Sequence, residues 1–225
     1  MIASPGHDAR THCTLRSSVQ RVTTPPRWFT DTDEGHSQWY IERFRTMAAD
    51  GTDLGGEARL VDAMVSPHSR ILDAGCGPGR VSAVLYERGH HVIGVDVDPE
   101  LIEAARADHP GPRWLVCDLA DLRLEALGEP DPFDAAVIAG NVMAFVAPGT
   151  EALVLANIHR HLRPDGFAVV GFHTDRYDMT AFDTHLSDAG FTLEHRFATW
   201  DLRPWHAEAD FSVSVLRKPT EATDD

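Results

Sequence analysis

The chain has 225 residues, with 20 Lys and Arg against 35 Asp and Glu, and a net charge of −15 at pH 7. A surface this acidic repels a phosphate backbone, because nucleic-acid binding depends on Lys and Arg that neutralise phosphates. The length and the 43% hydrophobic content are typical of a soluble chain with one core. No apolar run approaches the ~20 residues of a membrane-spanning helix. We therefore expect a soluble protein that binds neither nucleic acid nor a membrane.

The first 35 residues are predicted to be a disordered tail or an over-extended translation start. Residues 1–27 contain four arginines, several Ser and Thr, and one acid, but no apolar core of the kind that a secretory signal needs. A transit peptide is the alternative on composition. We expect the folded domain to span residues 36–217, with residues 218–225 as a C-terminal tail.

The predicted domain begins with two helices that form a helical cap over residues 36–66. Aromatic and apolar residues recur at three- to four-residue spacing from Gly35 to Asp50, and a second amphipathic stretch runs from Gly56 until Ser66 and Pro67 stop it. After the cap, apolar runs alternate with helical patterns. The predicted strands lie at about 70–72, 91–96, 113–118, 133–140, 167–172, 193–198 and 210–216, and the predicted helices between them at 80–88, from 98, 150–162 and 179–189.

This alternation predicts a doubly wound α/β fold with a mostly parallel, seven-stranded sheet. Strands that are separated by helices run parallel and are covered by helices on both faces. No helix separates the last two strands, so the last strand is predicted to enter antiparallel as a hairpin.

A glycine-rich turn follows the first strand and precedes a helix. Residues 73–79 read Asp-Ala-Gly-Cys-Gly-Pro-Gly, and glycines permit the sharp reversal and the close approach of a nucleoside-type ligand. A dinucleotide fingerprint would need the spacing Gly-x-Gly-x-x-Gly, whereas position 80 is Arg. Pro78 removes an N–H donor, and the Asp73 carboxylate repels phosphate and suits a cation.

The pattern Asp-x-Gly-x-Gly-x-Gly resembles motif I of the class I S-adenosylmethionine-dependent methyltransferases, whose cofactor is cationic and contains no phosphate. The resemblance covers roughly residues 36–217. Its landmarks are residues 71–79, 92–96, 117–119, 133–141 and 162–166.

The resemblance implies a set of cofactor-binding residues at the carboxyl ends of the first four strands. Asp96 lies 21 residues after Gly75, the interval at which an acid reaches ribose hydroxyls; alternatively it merely ends a strand. Asp118 and Leu119 are expected beside the adenine, although Asp118 could instead cap a helical turn. The full set is Asp73, Ala74, Gly75, Cys76, Gly77, Gly79, Asp96, Val97, Asp118, Leu119 and Gly140.

Asn141 and His173 are the candidate catalytic residues. Asn141 follows the fourth strand and resembles the Asn that opens the Asn-Pro-Pro-Tyr motif of amine-methylating enzymes, but Val142 and Met143 replace both prolines. That difference argues against a nucleobase or a glutamine amide as the acceptor. His173 follows the fifth strand and is a candidate base, with a purely structural role as the alternative.

Two aromatic and basic segments are the candidate substrate contacts. The first is the cap helix with Trp39, Tyr40 and Arg43, which resembles the mobile cap of small-molecule members of the family. The second is the turn after the sixth strand, with Trp200, Arg203 and Trp205. Each has a packing alternative, because aromatic residues also anchor helices and hairpins to a core.

These interpretations lead to one predicted function and two alternatives. We predict methyl transfer from S-adenosylmethionine to a small-molecule acceptor. The alternatives are a regulatory scaffold that binds the cofactor without catalysis and a nucleotide-dependent oxidoreductase on the same sheet. Three cysteines without a Cys-x-x-Cys pair are typical of a reduced, cytoplasmic protein. The histidines form no ligand cluster, so we predict no metal site.

Overall fold

Seven strands form one sheet in the computed structural model, which describes residues 24–220. The strands are β1 (Arg70–Ala74), β2 (His91–Asp96), β3 (Arg113–Val116), β4 (Phe133–Ile138), β5 (Leu162–His173), β6 (Thr192–Phe197) and β7 (Phe211–Arg217). Their order is β3-β2-β1-β4-β5-β7-β6. The first five strands pair in parallel, and β7 is antiparallel to both β5 and β6. The predicted fold class is confirmed.

Helices connect the strands and cover both faces of the sheet. They are α1 (Arg27–Thr30), α2 (His36–Ala49), α3 (Gly56–Met64), α4 (Arg80–Glu87), α5 (Pro99–Asp108), α6 (Val142–Phe145), α7 (Glu151–His161) and α8 (Met179–Asp188), with short 3-10 helices at Leu119–Asp121 and Leu124–Leu127. Within residues 24–220, none of these helices combines the length and the hydropathy needed to cross a bilayer.

The core divides into two layers because successive strand side chains point to opposite faces. On β1, Ile71 packs with Val61 of α3 and Leu85 of α4, whereas its neighbour Leu72 belongs to the cluster that contains Leu155 of α7. Both β1 side chains are fully buried. This two-sided burial is what a parallel sheet requires, and it leaves the carboxyl edge of the strands free to form a site.

Ordered structure begins before the predicted domain boundary at residue 36. Part of the predicted tail, residues 24–35, contains α1, and Trp28 packs edge-on against Tyr40 and Phe145 with 5.5 Å between ring centroids in each pair. Composition did not indicate this contact, because it joins residues that are far apart in the chain. Residues 1–23 and 221–225, the remainder of the two predicted tails, lie outside the described residues.

Two further differences concern short elements. β5 starts at Leu162, whereas the strand was predicted to start at about residue 167, and its register with β4 shifts between Phe133 and Ala135. Helix α6 was not predicted. It follows Asn141, which has a left-handed backbone with φ of 69°, and four residues are too few for a helical period to stand out in the sequence.

Candidate active site

The glycine turn between β1 and α4 is left-handed at each of its three glycines. The φ angles are 80° at Gly75, 54° at Gly77 and 92° at Gly79. A Cβ on Gly75 would lie 2.6 Å from a methyl carbon of Val142, a distance that real Cβ atoms do not show. The turn therefore requires glycine for its backbone conformation and for the close approach of α6.

Asp96, at the end of β2, is joined to this turn by its side chain. Its Oδ2 accepts a 2.8 Å hydrogen bond from the backbone N–H of Gly77, and its Oδ1 accepts a 3.0 Å bond from the N–H of Asp98. The residue is 9% exposed. Burial raises its pKa to about 6, although the two backbone donors act in the opposite direction.

Asp73, at the end of β1, lies beneath the turn. Its Oδ2 accepts bonds from the hydroxyl and the backbone N–H of Ser82, at 2.6 and 3.0 Å. Burial raises the pKa of Asp73 to about 6, and the Ser82 hydrogen bonds and the charge of Arg80 partly oppose this rise. The carboxylate therefore anchors the first turn of α4 and also lines the cavity described below.

Asp118, after β3, is both a helix cap and a residue of the cavity lining. Its Oδ1 accepts a 2.9 Å bond from the N–H of Ala120, which caps the 3-10 helix at Leu119–Asp121. Burial raises its pKa. The capping contact that the sequence left open is thus present, and the residue also faces the cavity together with Leu119.

Aromatic side chains from α1, α2 and α6 form a roof over this edge of the sheet. We call Trp28, Tyr40, Phe44 and Phe145 the aromatic roof. Tyr40 packs edge-on against Phe44 with ring centroids 4.9 Å apart. Its hydroxyl lies 3.5 Å from the position that a Cβ on Gly140 would occupy. Tyr40 therefore reaches across the cavity, and burial raises its pKa.

A buried carboxylate fastens the roof to α5. Trp28 Nε1 donates a 2.8 Å hydrogen bond to Asp98 Oδ2, and the hydroxyl of Ser37 donates to the same oxygen. Asp98 is 3% exposed and also caps α5 through a 2.8 Å bond from the N–H of Glu100. Asp98 binds the roof, and Asp96, two residues earlier, binds the glycine turn. Neighbouring residues at the end of β2 therefore hold both parts.

The cationic side chain in the cavity lining is neutralised. Arg80 Nη1 lies 2.8 Å from Glu57 Oε2 and 3.0 Å from the carbonyl oxygen of Leu54, and its Nη2 also contacts Glu57. Its guanidinium lies over the ring of Phe44, 5.4 Å from the centroid. The cavity consequently keeps an excess of carboxylate charge, which suits a cationic ligand.

These parts enclose a cavity of about 800 Å³, counted out to its open mouth. The lining consists of Pro26, Trp28, Tyr40, Phe44, Asp73, Gly75, Cys76, Gly77, Pro78, Arg80, Val81, Asp96, Val97, Leu101, Asp118, Leu119, Ala139, Gly140, Val142, Phe145 and Val146. Three acids, the glycine turn and an apolar roof therefore face one space.

Comparison with known proteins identifies the family. A family model described as a methyltransferase domain matches residues 71–166. The crystal structure of a TehB-like SAM-dependent methyltransferase from Corynebacterium glutamicum is 43% identical, with a TM-score of 0.77, and the match covers 83% of this chain and 100% of that one. This chain belongs to the S-adenosylmethionine-dependent methyltransferases.

Curated relatives are methyltransferases as well. The trans-aconitate 2-methyltransferase of Azoarcus sp. is 34% identical over 128 residues, which are 56% of this chain and 45% of that protein. An uncharacterized methyltransferase of Synechocystis sp. is 26% identical over 199 residues, which are 77% of this chain and 92% of that protein. The chain thus spans about half the length of the first of these relatives and nearly all of the second. S-adenosylmethionine is the cofactor of the family.

Most of the predicted cofactor residues of this methyltransferase line the cavity. Asp73, Gly75, Cys76, Gly77, Asp96, Val97, Asp118, Leu119 and Gly140 do so, whereas Ala74 and Gly79 do not. Ala74 is fully buried in the core. A Cβ on Gly79 would lie 2.6 Å from the Trp114 ring, so this glycine permits packing beneath the turn.

The two predicted catalytic residues contact each other beside the cavity. Asn141 Oδ1 accepts a 2.8 Å hydrogen bond from the backbone N–H of His173. The His173 ring is exposed, lies 3.3 Å from the carbonyl oxygen of Asp210 through Nδ1, and packs edge-on against Phe211. Neither residue lines the cavity, and the contact joins the loop after β4 to the end of β5.

Of the predicted substrate residues, Tyr40 alone lines the cavity. Trp39 is 54% exposed and carries the Arg43 guanidinium 5.5 Å from its ring centroid. Trp200 packs on Gly171 of β5, where a Cβ would clash with the indole ring.

Two further members of that set lie in the hairpin between β6 and β7. Arg203 is exposed and pairs with Asp201. The Arg196 guanidinium lies over the ring of Trp205, 5.6 Å from its centroid. Both positions lie outside the cavity lining.

Sequence reasoning did not find three members of the aromatic roof, Trp28, Phe44 and Phe145. Phe44 lies within the predicted cap helix, but the sequence analysis did not assign it to the site. Trp28 lies in the predicted tail and Phe145 in the unpredicted helix α6. Among residues 24–220 there is no group of three or more His, Cys, Asp and Glu side chains that could hold a metal ion.

Proposed function

We propose that this chain transfers a methyl group from S-adenosylmethionine to a small-molecule acceptor. The observation that carries the proposal is the convergence of three carboxylates, Asp73, Asp96 and Asp118, on one cavity beside a glycine turn. A ligand with a sulfonium and an ammonium group gains from this charge, whereas a diphosphate is repelled by it.

The contacts of each acid support a specific role. Asp96 is held against the glycine turn, and we assign it to the ribose hydroxyls because carboxylate oxygens retain further lone pairs after two backbone bonds. We assign Asp118 and Leu119 to the adenine end. Asp73 is assigned to the methionine ammonium, with its Oδ2 already occupied by Ser82.

The bound cofactor supplies an activated methyl group on a positively charged sulfur. Because charge disperses during such a transfer, the chain contributes mainly by positioning the reactants and excluding water. The aromatic roof serves both purposes, since Tyr40 and Trp28 cover the cavity. A base role for His173 stays a prediction, and Asn141 is assigned to positioning the end of β5 that carries it.

A small acceptor is supported by the enclosed shape of the site. The roof reaches from α2 to α6, so a macromolecular acceptor would have to displace it or insert a narrow side chain. Several relatives are also named for small acceptors, among them the Azoarcus trans-aconitate enzyme and a ubiquinone biosynthesis O-methyltransferase of Xylella fastidiosa, 39% identical over 100 residues.

Calorimetric titration tests the first half of the proposal. S-adenosylhomocysteine is expected to bind and NADH is not, and the reverse result would contradict the assignment of the cavity to a methyl donor. The second half is tested by incubating the protein with labelled donor and a metabolite extract. Labelled small products support catalysis, whereas cofactor binding with no labelled product from any extract favours the regulatory scaffold.

A further inference from the structure

We propose that the methyl acceptor carries a carboxylate and that Arg176 binds it at the mouth of the cavity. This inference rests on the proposed function and names the chemical class of its acceptor. Arg176 was not among the residues that the sequence indicated. It lies in the loop between β5 and α8, outside the residues that line the cavity, and its guanidinium lies over Phe145, which belongs to that lining.

Arg176 is positioned by the roof itself. Its guanidinium carbon lies 5.2 Å from the ring centroid of Phe145, and Phe145 lines the cavity and packs edge-on against Trp28. The backbone N–H of Arg176 donates a 3.0 Å hydrogen bond to the carbonyl oxygen of His173. A guanidinium held over an aromatic ring by a cation–π contact can still donate N–H groups to a carboxylate.

The charge of Arg176 is not neutralised by a neighbour. Most arginines among residues 24–220 form ion pairs with Asp or Glu, as expected in a chain with 35 acids and 20 bases. Within that part of the chain, Arg176 forms no such pair, and its side chain is exposed. An unpaired cation beside the cavity is therefore unusual in so acidic a protein.

The interior of the cavity complements this assignment. Its carboxylates lie at the ends of β1, β2 and β3, where we place the cofactor, whereas the lining around Phe145 consists of the apolar side chains of Val142 and Val146. A neutral polar acceptor therefore has few hydrogen-bond partners in that part of the lining. An anionic group is attracted both by the cofactor's positive sulfur and by Arg176, and a cationic acceptor is repelled by both.

Calorimetry on protein saturated with S-adenosylhomocysteine tests the inference. The probes are trans-aconitate, malonate and benzoate, with malonamide and benzamide as uncharged counterparts. At least one carboxylate is expected to bind more tightly than the amides. Arg176→Gln should weaken that binding about tenfold to a hundredfold, the range for a charge-assisted hydrogen bond, and Arg176→Lys should weaken it less.

The matched control is Arg123→Gln, which removes the same charge from an exposed arginine at the start of the 3-10 helix Leu124–Leu127. It should leave probe binding unchanged. Carboxylates that bind no better than amides, or equal affinity in Arg176→Gln and the parent, would overturn the inference. Failure of S-adenosylhomocysteine to bind in the same titrations would instead overturn the proposed function.

Discussion

The carboxylate of Asp96 accepts a 2.8 Å hydrogen bond from the backbone N–H of Gly77. This bond joins the end of β2 to the turn that follows β1, so two strand ends of the cofactor cavity are fixed relative to each other. The backbone N–H of Asp98 donates to the other oxygen of this carboxylate. The carboxylate therefore stabilises the local backbone in addition to making its proposed ribose contact.

Replacement of Asp96 is expected to weaken cofactor binding and also to cost stability. Asp96→Asn should lower the affinity for S-adenosylhomocysteine about tenfold to a hundredfold through loss of charge-assisted bonds. It should lower the free energy of unfolding by about 1–3 kcal/mol, because one buried N–H loses its acceptor. Calorimetry and urea unfolding measure the two effects. Asp188→Asn, at an exposed site at the end of α8, should change neither, and unchanged affinity in Asp96→Asn would remove Asp96 from the site.

The affinity for S-adenosylmethionine is expected to rise between pH 5 and pH 7. The pKa values of Asp73 and Asp96 are both raised to about 6, and a cationic ligand favours their ionised forms. Binding near pH 6 should therefore release protons, which appears as a dependence of the calorimetric heat on the buffer's ionisation enthalpy. An affinity that falls over this range would contradict the assignment of these acids to the cofactor.

Without ligand, the same two carboxyl groups should make the free energy of unfolding fall as the pH rises. Their folded-state pKa values lie above the unfolded value near 4, so the folded protein holds protons that the unfolded chain has released. The contribution of both groups to the free energy of unfolding is present below pH 4 and is lost as the pH rises through about 6. Urea unfolding at pH 4.5 and 6.5, compared between the parent and Asp96→Asn, measures it.

Gly75→Ala is expected to destabilise the protein more than the same substitution at a left-handed glycine where an added Cβ would have free space. Gly75 has φ of 80° and faces Val142. Gly149 has φ of 81°, and no atom lies within 4 Å of the position that a Cβ would occupy there, so Gly149→Ala should cost only about 1–2 kcal/mol of backbone strain. The added Val142→Ala change should recover part of the Gly75→Ala loss. Equal unfolding free energies for the two single variants would contradict the steric argument.

Trp200→Leu is expected to reduce stability without changing cofactor affinity. The indole packs against Gly171 on the sheet face that also carries Val169, and truncating a packed aromatic side chain costs about 2–4 kcal/mol. Trp39→Leu, at a site 54% exposed, should cost much less. A transfer rate that is unchanged in Trp200→Leu would assign this residue to packing, and a lowered rate would support its predicted substrate contact.

Local signals in the sequence predict the order of elements and the core of the cofactor site. Helical and strand periods, the glycines of residues 73–79 and the acids that end each strand are local, because each depends on residues a few positions apart. Parallel topology then places Asp73, Asp96 and Asp118 at one edge without further information. The hairpin of β6 and β7 follows from local signals in the same way, because no helical pattern lies between the last two strands.

The aromatic roof over that edge of the sheet is evident only in the folded structure. The bond from Trp28 to Asp98 joins residues 70 positions apart, and the cation–π contact of Arg176 with Phe145 joins the loop after β5 to helix α6. Neither pair leaves a local pattern, since each depends on where the strand ends and the cap come together in space. The strand-end acids that line the cavity could therefore be predicted from the sequence, whereas the aromatic roof and the position of Arg176 depend on contacts that exist only after folding.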